Sequence, residues 1–397
     1  MKKIILTIAA LFFTQLACAH FSNMIVFGDS LSDVGNFPES PRIYWDESKP
    51  KNLFNAIAQF YVPFANPVDT RTKNTGNFPW PTLNSQYLAP QTTINGKKRM
   101  YRSIGWTAFF LSLANYKNKT TADIISPSYL LATRNIPSTI SFNYAWGYAT
   151  SFADCVNPQY QHKNCNQTSI LNARKNYTRN PSSDNYKNIE VPGLSTQVRL
   201  FLADKHNKKV SVDRNTLYAI WIGGNDLIVA GNAIQRHNNP LPTFEIMLGE
   251  TSFHIIQSIT LLLKHLPDEK KPEKIYVFTV FNPGLSPAFY KVPIAKFGNF
   301  VVKSSNFFLK VYSGIFNVFS STKIIIVPTY EWYQAAADST QFKNTLGKSC
   351  QLSAGNYDNV QKIPSANCKD YLFWNDVHPA TPMQAIVAKR FFQWIGL

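Results

Sequence analysis

Four short stretches hold residues whose types and spacing suit acyl transfer. Phe27-Gly28-Asp29-Ser30-Leu31-Ser32-Asp33 puts a serine directly after an aliphatic run. A hydroxyl at a strand-to-helix turn is exposed and lies near helix N–H groups, the setting of a nucleophile. The same Ser and Asp could simply cap a helix. Trp374-Asn375-Asp376-Val377-His378-Pro379 sets a histidine beside a carboxylate. Pro379 biases His378 to extended backbone. An imidazole in a loop next to an Asp is the expected general base of a triad, and a solvated histidine is the plainer alternative. Gly223-Gly224-Asn225-Asp226 follows another aliphatic run. An amide held there could donate to a developing oxyanion, a contact whose loss costs about 3–4 kcal/mol, although Asn is common in turns for its own sake. Asn143-Tyr144-Ala145-Trp146-Gly147-Tyr148-Ala149-Thr150 carries a glycine that either lets backbone approach a ligand or makes a tight turn.

Positioning these residues requires strands. Met24–Phe27, Leu217–Ile222, Ile275–Phe281 and Lys323–Val327 are short aliphatic runs, each followed by turn residues. Between them, Phe244–Leu266 and Phe297–Phe319 carry apolar residues at helical spacing. Strand, turn and helix in alternation predict an α/β fold, with a mostly parallel sheet covered on both faces in three α/β/α layers. Sites in such folds lie at the carboxyl ends of strands, where the chemical stretches fall. Phe37–Ser141, aromatic and rich in Pro and Asn, reads as an insertion over the sheet edge or the site. Asn157–Val191 reads as a polar surface loop.

The chain has 397 residues and a formal charge of +17, and no apolar run long enough for a multi-pass membrane protein. Lys2 and Lys3, the apolar stretch Ile4–Phe13 and Ala17-Cys18-Ala19 form a signal-peptide pattern, with cleavage expected before His20. A lipoprotein reading of Cys18 fits less well, because Gln15 and Leu16 precede it. The expectation is a signal peptide over 1–19 and one domain over 20–397, exported to the periplasm or secreted. Of the five cysteines, Cys155, Cys165, Cys350 and Cys368 then remain. Three pairings exist, and Cys155–Cys165 with Cys350–Cys368 closes two short polar loops. No CxxC or HExxH is present, and none of the seven histidines sits near a Cys at ligand spacing; His162 lies in a polar loop.

Together and in this order, the stretches resemble the GDSL, or SGNH, family of esterases and lipases. The family's Gly-Asp-Ser, Gly-x-Asn-Asp and Asp-x-x-His-Pro blocks match Gly28-Asp29-Ser30, Gly223-Gly224-Asn225-Asp226 and the stretch ending His378-Pro379. Phe281-Asn282-Pro283-Gly284-Leu285-Ser286-Pro287 is also similar to a family turn, and the likeness runs from Met24 to the C-terminus. The signal peptide, aromatic insertion and cysteines look like the secreted bacterial phospholipase and lysophospholipase branch, some members of which transfer acyl groups to cholesterol. The resemblance implies a flavodoxin-like fold, Ser30 as nucleophile, His378 as base and no metal or cofactor. Its oxyanion hole would be the Ser30 N–H, a backbone N–H at Gly147 or Tyr148, and the Asn225 amide. Two positions depart from the pattern. Tyr148 stands where a Gly is usual, and Asn375 stands where the triad Asp is usual. Asp376 is the preferred third member and Asn375 the alternative.

The implied substrate is a lipid ester met at a membrane surface. Trp45, Phe54, Phe60, Tyr61, Phe64, Phe78 and Trp80 could contact lipid, though core packing explains most such residues. The 350–368 loop, ending ten residues before His378, either stiffens the protein or acts as a lid that a protease could open. Alternatives are a carbohydrate acetyl esterase of the same family and a non-catalytic relative binding lipid or glycan. No Gly-x-Ser-x-Gly elbow appears. A nucleic-acid partner is not expected, because the lysines scatter and no recognised nucleic-acid-binding motif is present.

Overall fold

The computed structural model describes residues 20–37, 105–120, 125–132, 136–179, 183–237, 239–290, 294–349, 370–373 and 377–397, with the backbone of four short strands between Pro67 and Ser103. Residues 1–19, where a signal peptide is expected, Cys350, Cys368, Asn375, Asp376 and the aromatic residues from Trp45 to Trp80 lie outside the described residues.

Six parallel strands form the central sheet: β1 (Met24–Gly28), β2 (Ile125–Pro127), β3 (Ser141–Asn143), β4 (Leu217–Trp221), β5 (Lys274–Phe278) and β6 (Lys323–Val327). Their spatial order is β6-β5-β4-β1-β3-β2. The four central and outer strands β1, β4, β5 and β6 carry mainly apolar residues on both faces because both faces are covered. Met24, Val26, Ala219, Trp221, Phe278 and Val327 point into one core. There they meet α1 (Trp106–Tyr116), α8 (Thr329–Ala337) and α9 (Thr381–Trp394). Ile25, Phe27, Tyr218, Ile220, Ile275 and Val277 point into the other. There they meet α3 (Leu194–His206) and α6 (Glu250–His265), with Leu309 of α7 (Ile294–Phe319). The period of two along each strand thus divides the apolar residues between two cores, giving the expected three layers.

Two stretches differ from expectation. The supposed insertion, residues 37–141, supplies α1 and the edge strand β2, so these parts are layers of the fold. Trp106 and Phe110 are fully buried and pack on Phe391 of α9. The supposed loop 157–191 contains α2 (Gln167–Arg179) and a helical turn, Ser183–Lys187. Asn166 and Ser169 cap α2 reciprocally, each N–H donating to the other's side-chain oxygen at 2.9 Å. Its inner face is sparse, and polar in part. Ile170 and Tyr177 are buried, and between them the Arg174 guanidinium lies 3.4 Å over the Tyr129 ring. Arg174 also donates to the Asn36 and Gly35 carbonyls at 2.7 and 3.2 Å. The helical period was masked because an arginine occupies a core-facing position.

Candidate active site

The site begins where β1 ends. Gly28 has φ +150°, and a Cβ there would lie 2.2 Å from the Trp221 carbonyl oxygen, so only glycine allows β1 and β4 to approach so closely. The Gln197 side chain of α3 clamps this residue, accepting from the Gly28 N–H at 2.9 Å and donating to its carbonyl at 2.8 Å. The chain then makes one helical turn, with the Ser32 and Asp33 N–H groups donating to the Asp29 carbonyl at 3.1 and 3.0 Å. No helix follows directly. The Asp33 carboxylate accepts from the N–H groups of Gly35, Asn36, Phe37 and Gly147 at 2.7–3.0 Å and draws the backbone away. Ser30 is left half-buried at the tip of this turn.

His378 arrives from the far end of the chain. Its segment is tied to the strand Tyr371–Phe373 by the Ala380 N–H, which donates to the Leu372 carbonyl at 3.0 Å, and it continues into α9. Ser30 Oγ and His378 Nε2 are 2.8 Å apart across 348 residues of sequence. Trp106 bridges the two sides. Its indole N–H donates to Ser32 Oγ and its backbone N–H to Gln384 Oε1 of α9, both at 3.1 Å. Burial holds the His378 imidazole down to about 3, so the ring is neutral at physiological pH and able to accept a proton.

Asn225 lies just after β4, behind Gly223 with φ +123°. Its amide nitrogen donates to the Ala149 carbonyl at 3.0 Å, and its oxygen accepts from the Tyr160 hydroxyl at 2.8 Å. These contacts fix which end of the amide carries hydrogen, and one of its two N–H bonds satisfies Ala149. Tyr160 escaped the sequence reading. The available signal was a single tyrosine in an otherwise polar loop between Cys155 and Cys165. That loop is closed by the Cys155–Cys165 disulfide, and Tyr160 has φ +59° within it.

The Gly147–Tyr148 stretch requires a correction. The Gly147 N–H donates to Asp33 Oδ2 at 2.8 Å and is committed to structure rather than to an oxyanion. Tyr148, with φ +69°, is the residue of this stretch that lines the cavity at Ser30. Three buried carboxylates, Asp29, Asp226 and Asp33, sit beside these groups. Burial, with the Asp226 charge adding, pushes Asp29 up to about 7 against the pull of the Leu31 N–H. Burial raises Asp226 as well, opposed by hydrogen bonds from Ser151 and Thr251. Asp33 reaches about 6, burial outweighing its four N–H contacts.

A cavity of about 250 Å³ opens on Ser30, Asn225 and His378. Asp29, Tyr148, Tyr160, Thr243 and Ser286 also line it, and the rest of its wall is mostly apolar, with Ile228 and Ile234 of α4 (Gly224–His237), Val280 and Phe281 after β5, and Phe297 and Val301 of α7. Among the described residues, no cluster of three His, Cys, Asp or Glu could hold a metal.

A serine in hydrogen-bond contact with a neutral histidine at the carboxyl edge of a parallel sheet defines a serine-type hydrolase site. The chain belongs to the GDSL-like lipase/acylhydrolase family, whose model matches residues 24–391, and the family implies an acyl ester hydrolase. Comparison with curated proteins finds no matching relative.

Proposed function

We propose that this protein is an exported serine esterase acting on acyl esters of lipids, of the lysophospholipase or phospholipase A type. The observation that carries the lipid reading is the apolar cavity opening on Ser30. An acetyl group would leave that wall in water, whereas a long acyl chain covers it. Transfer of each methylene from water to such a wall is worth about 0.8 kcal/mol. In this mechanism Ser30 Oγ attacks the ester carbonyl while His378 Nε2 takes its proton. The Asn225 amide, the Ser30 N–H and the Tyr148 N–H stabilise the tetrahedral oxyanion. His378 then protonates the leaving alcohol, and water or an acceptor alcohol releases the acyl group. Asp376 orients the imidazole, with Asn375 as the rival; full activity of Asp376→Ala would reverse that choice. The 1–19 pattern supports export, as does a disulfide, which persists in oxidising compartments. The 350–368 loop acts as a lid, a reading that unchanged rates after its deletion would reject.

The test is a series of choline and glycerol esters from acetyl to palmitoyl. Rates rise with chain length, and Ser30→Ala lowers them by at least about 10³-fold. Fastest turnover of acetyl esters would instead select the carbohydrate esterase. Equal rates in wild type and Ser30→Ala would exclude the proposed nucleophile.

A further inference from the structure

Helix α7 leaves an apolar face uncovered. Val302, Ser305, Leu309 and Ser313 are buried against the molecule. On the other side, Phe300, Phe307, Val311, Ile315 and Val318 are 36–74% exposed, at intervals that keep them on one stripe. A helix in a soluble protein ordinarily sets polar residues there. Here the exposed polar positions are Lys296, Lys303 and Lys310, and α7 contains no acidic residue. Lys310 faces Glu331 at 3.7 Å, so the uncompensated charge of the stripe centres on its Phe297 end.

The stripe continues onto the corner between α5 (Leu241–Met247) and α6, where Phe244, Leu248 and Phe253 are at least half exposed. The corner meets α7 closely: a Cβ at Gly249 would lie 2.7 Å from Phe308 Cβ. It also borders the cavity, whose wall includes Thr243 of α5 and Phe297 of α7. The exposed apolar face and the acyl pocket therefore share two helices.

We infer that the α7 face and the α5–α6 corner seat the protein on an anionic lipid bilayer, with the cavity mouth at the membrane. The inference deepens the lipid-ester reading and rests on it. An amphipathic helix with apolar residues on one stripe and lysines along it lies in the headgroup plane, held by apolar insertion and by charge. It does not span: among the described residues no single helix is long and apolar enough to cross a membrane. The bent pair α5 and α6 passes by length and composition, yet Ile246, Ile255, Ile259 and Leu262 are buried. A second copy fits the face less well, because an isologous antiparallel pairing centred between Asn306 and Phe307 opposes Lys303 to Lys310.

The test uses full-length Ser30→Ala protein, which leaves vesicles intact, in sedimentation with phosphatidylglycerol–phosphatidylcholine vesicles. Binding is expected to weaken with pure phosphatidylcholine and with salt. Phe300→Ser, Phe307→Ser and Ile315→Ser together lower the partition at least about tenfold. In the Ser30-containing chain the same three changes leave hydrolysis of a soluble short-chain ester unchanged, which shows that the fold survives. No binding to anionic vesicles, or equal binding by the triple variant, overturns the inference. A dimer that the triple variant dissociates, with vesicle binding unaltered, assigns the face to a second copy and also overturns it. Retained vesicle binding without hydrolysis of any ester would reject the catalytic reading alone.

Discussion

At the scale of single residues, the proposed oxyanion hole depends on a group that never meets the substrate's reacting atoms. The Tyr160 hydroxyl donates to Asn225 Oδ1 and so directs the amide N–H groups. Tyr160→Phe leaves that oxygen without its donor, at a cost of about 1–2 kcal/mol. We expect kcat to fall roughly 5–30-fold with KM little changed, against a fall of about 10²-fold or more for Asn225→Ala. In the double variant the losses do not add, and additive losses would separate Tyr160 from Asn225. A second prediction concerns pH. Asp29, held at about 7, is neutral below that pH and anionic above it. A charge beside Ser30 opposes an oxyanion, so kcat/KM declines as pH rises through 7, and Asp29→Asn removes the decline. His378, held well below the ordinary 6.5, stays neutral as pH falls, so the acid limb of the same profile lies below 6.5.

At the scale of elements, two devices hold the reacting groups. One is the glycine at the end of β1. Gly28→Ala forces a Cβ against the Trp221 carbonyl oxygen at 2.2 Å. Separation of β1 from β4 is expected to cost about 3 kcal/mol or more in urea unfolding, with activity lost even where the chain still folds. The other is the Cys155–Cys165 loop. Converting both cysteines to serine is expected to remove about 2–3 kcal/mol of stability. The same change lowers kcat as far as Tyr160→Phe does, because the loop positions the tyrosine. An unchanged kcat would show that the loop holds its shape through Asn157, whose side chain accepts from Gln159 and Gln161 N–H at 3.0 and 2.9 Å. The strands that carry the site were legible in the sequence because they are fully buried and so read as continuous aliphatic runs. Helix α2 was not, because Arg174 interrupts its apolar face. Nor was α1, whose aromatic composition matched the insertion around it.

At the scale of the whole molecule, the proposed export and membrane contact set the expected mature form. Cleavage before His20 leaves 397 − 19 = 378 residues, and loss of Lys2 and Lys3 leaves +17 − 2 = +15. Mass spectrometry of the exported protein is expected to find His20 at the N-terminus; an intact Met1 would reject the signal reading. The joint order of the motifs was enough to imply the family and, through it, roles for Ser30, Asn225 and His378, and the strand–turn–helix alternation implied the α/β architecture, whereas each motif alone left a plainer reading open. Only the tertiary structure brought Ser30 and His378, 348 residues apart, to 2.8 Å. It also committed the Gly147 N–H to Asp33, brought Tyr160 to Asn225, and left the apolar stripe of α7 uncovered. Those are contacts between distant segments. A sequence specifies which groups a segment carries, but which neighbour occupies each donor and each face is decided by how the layers pack.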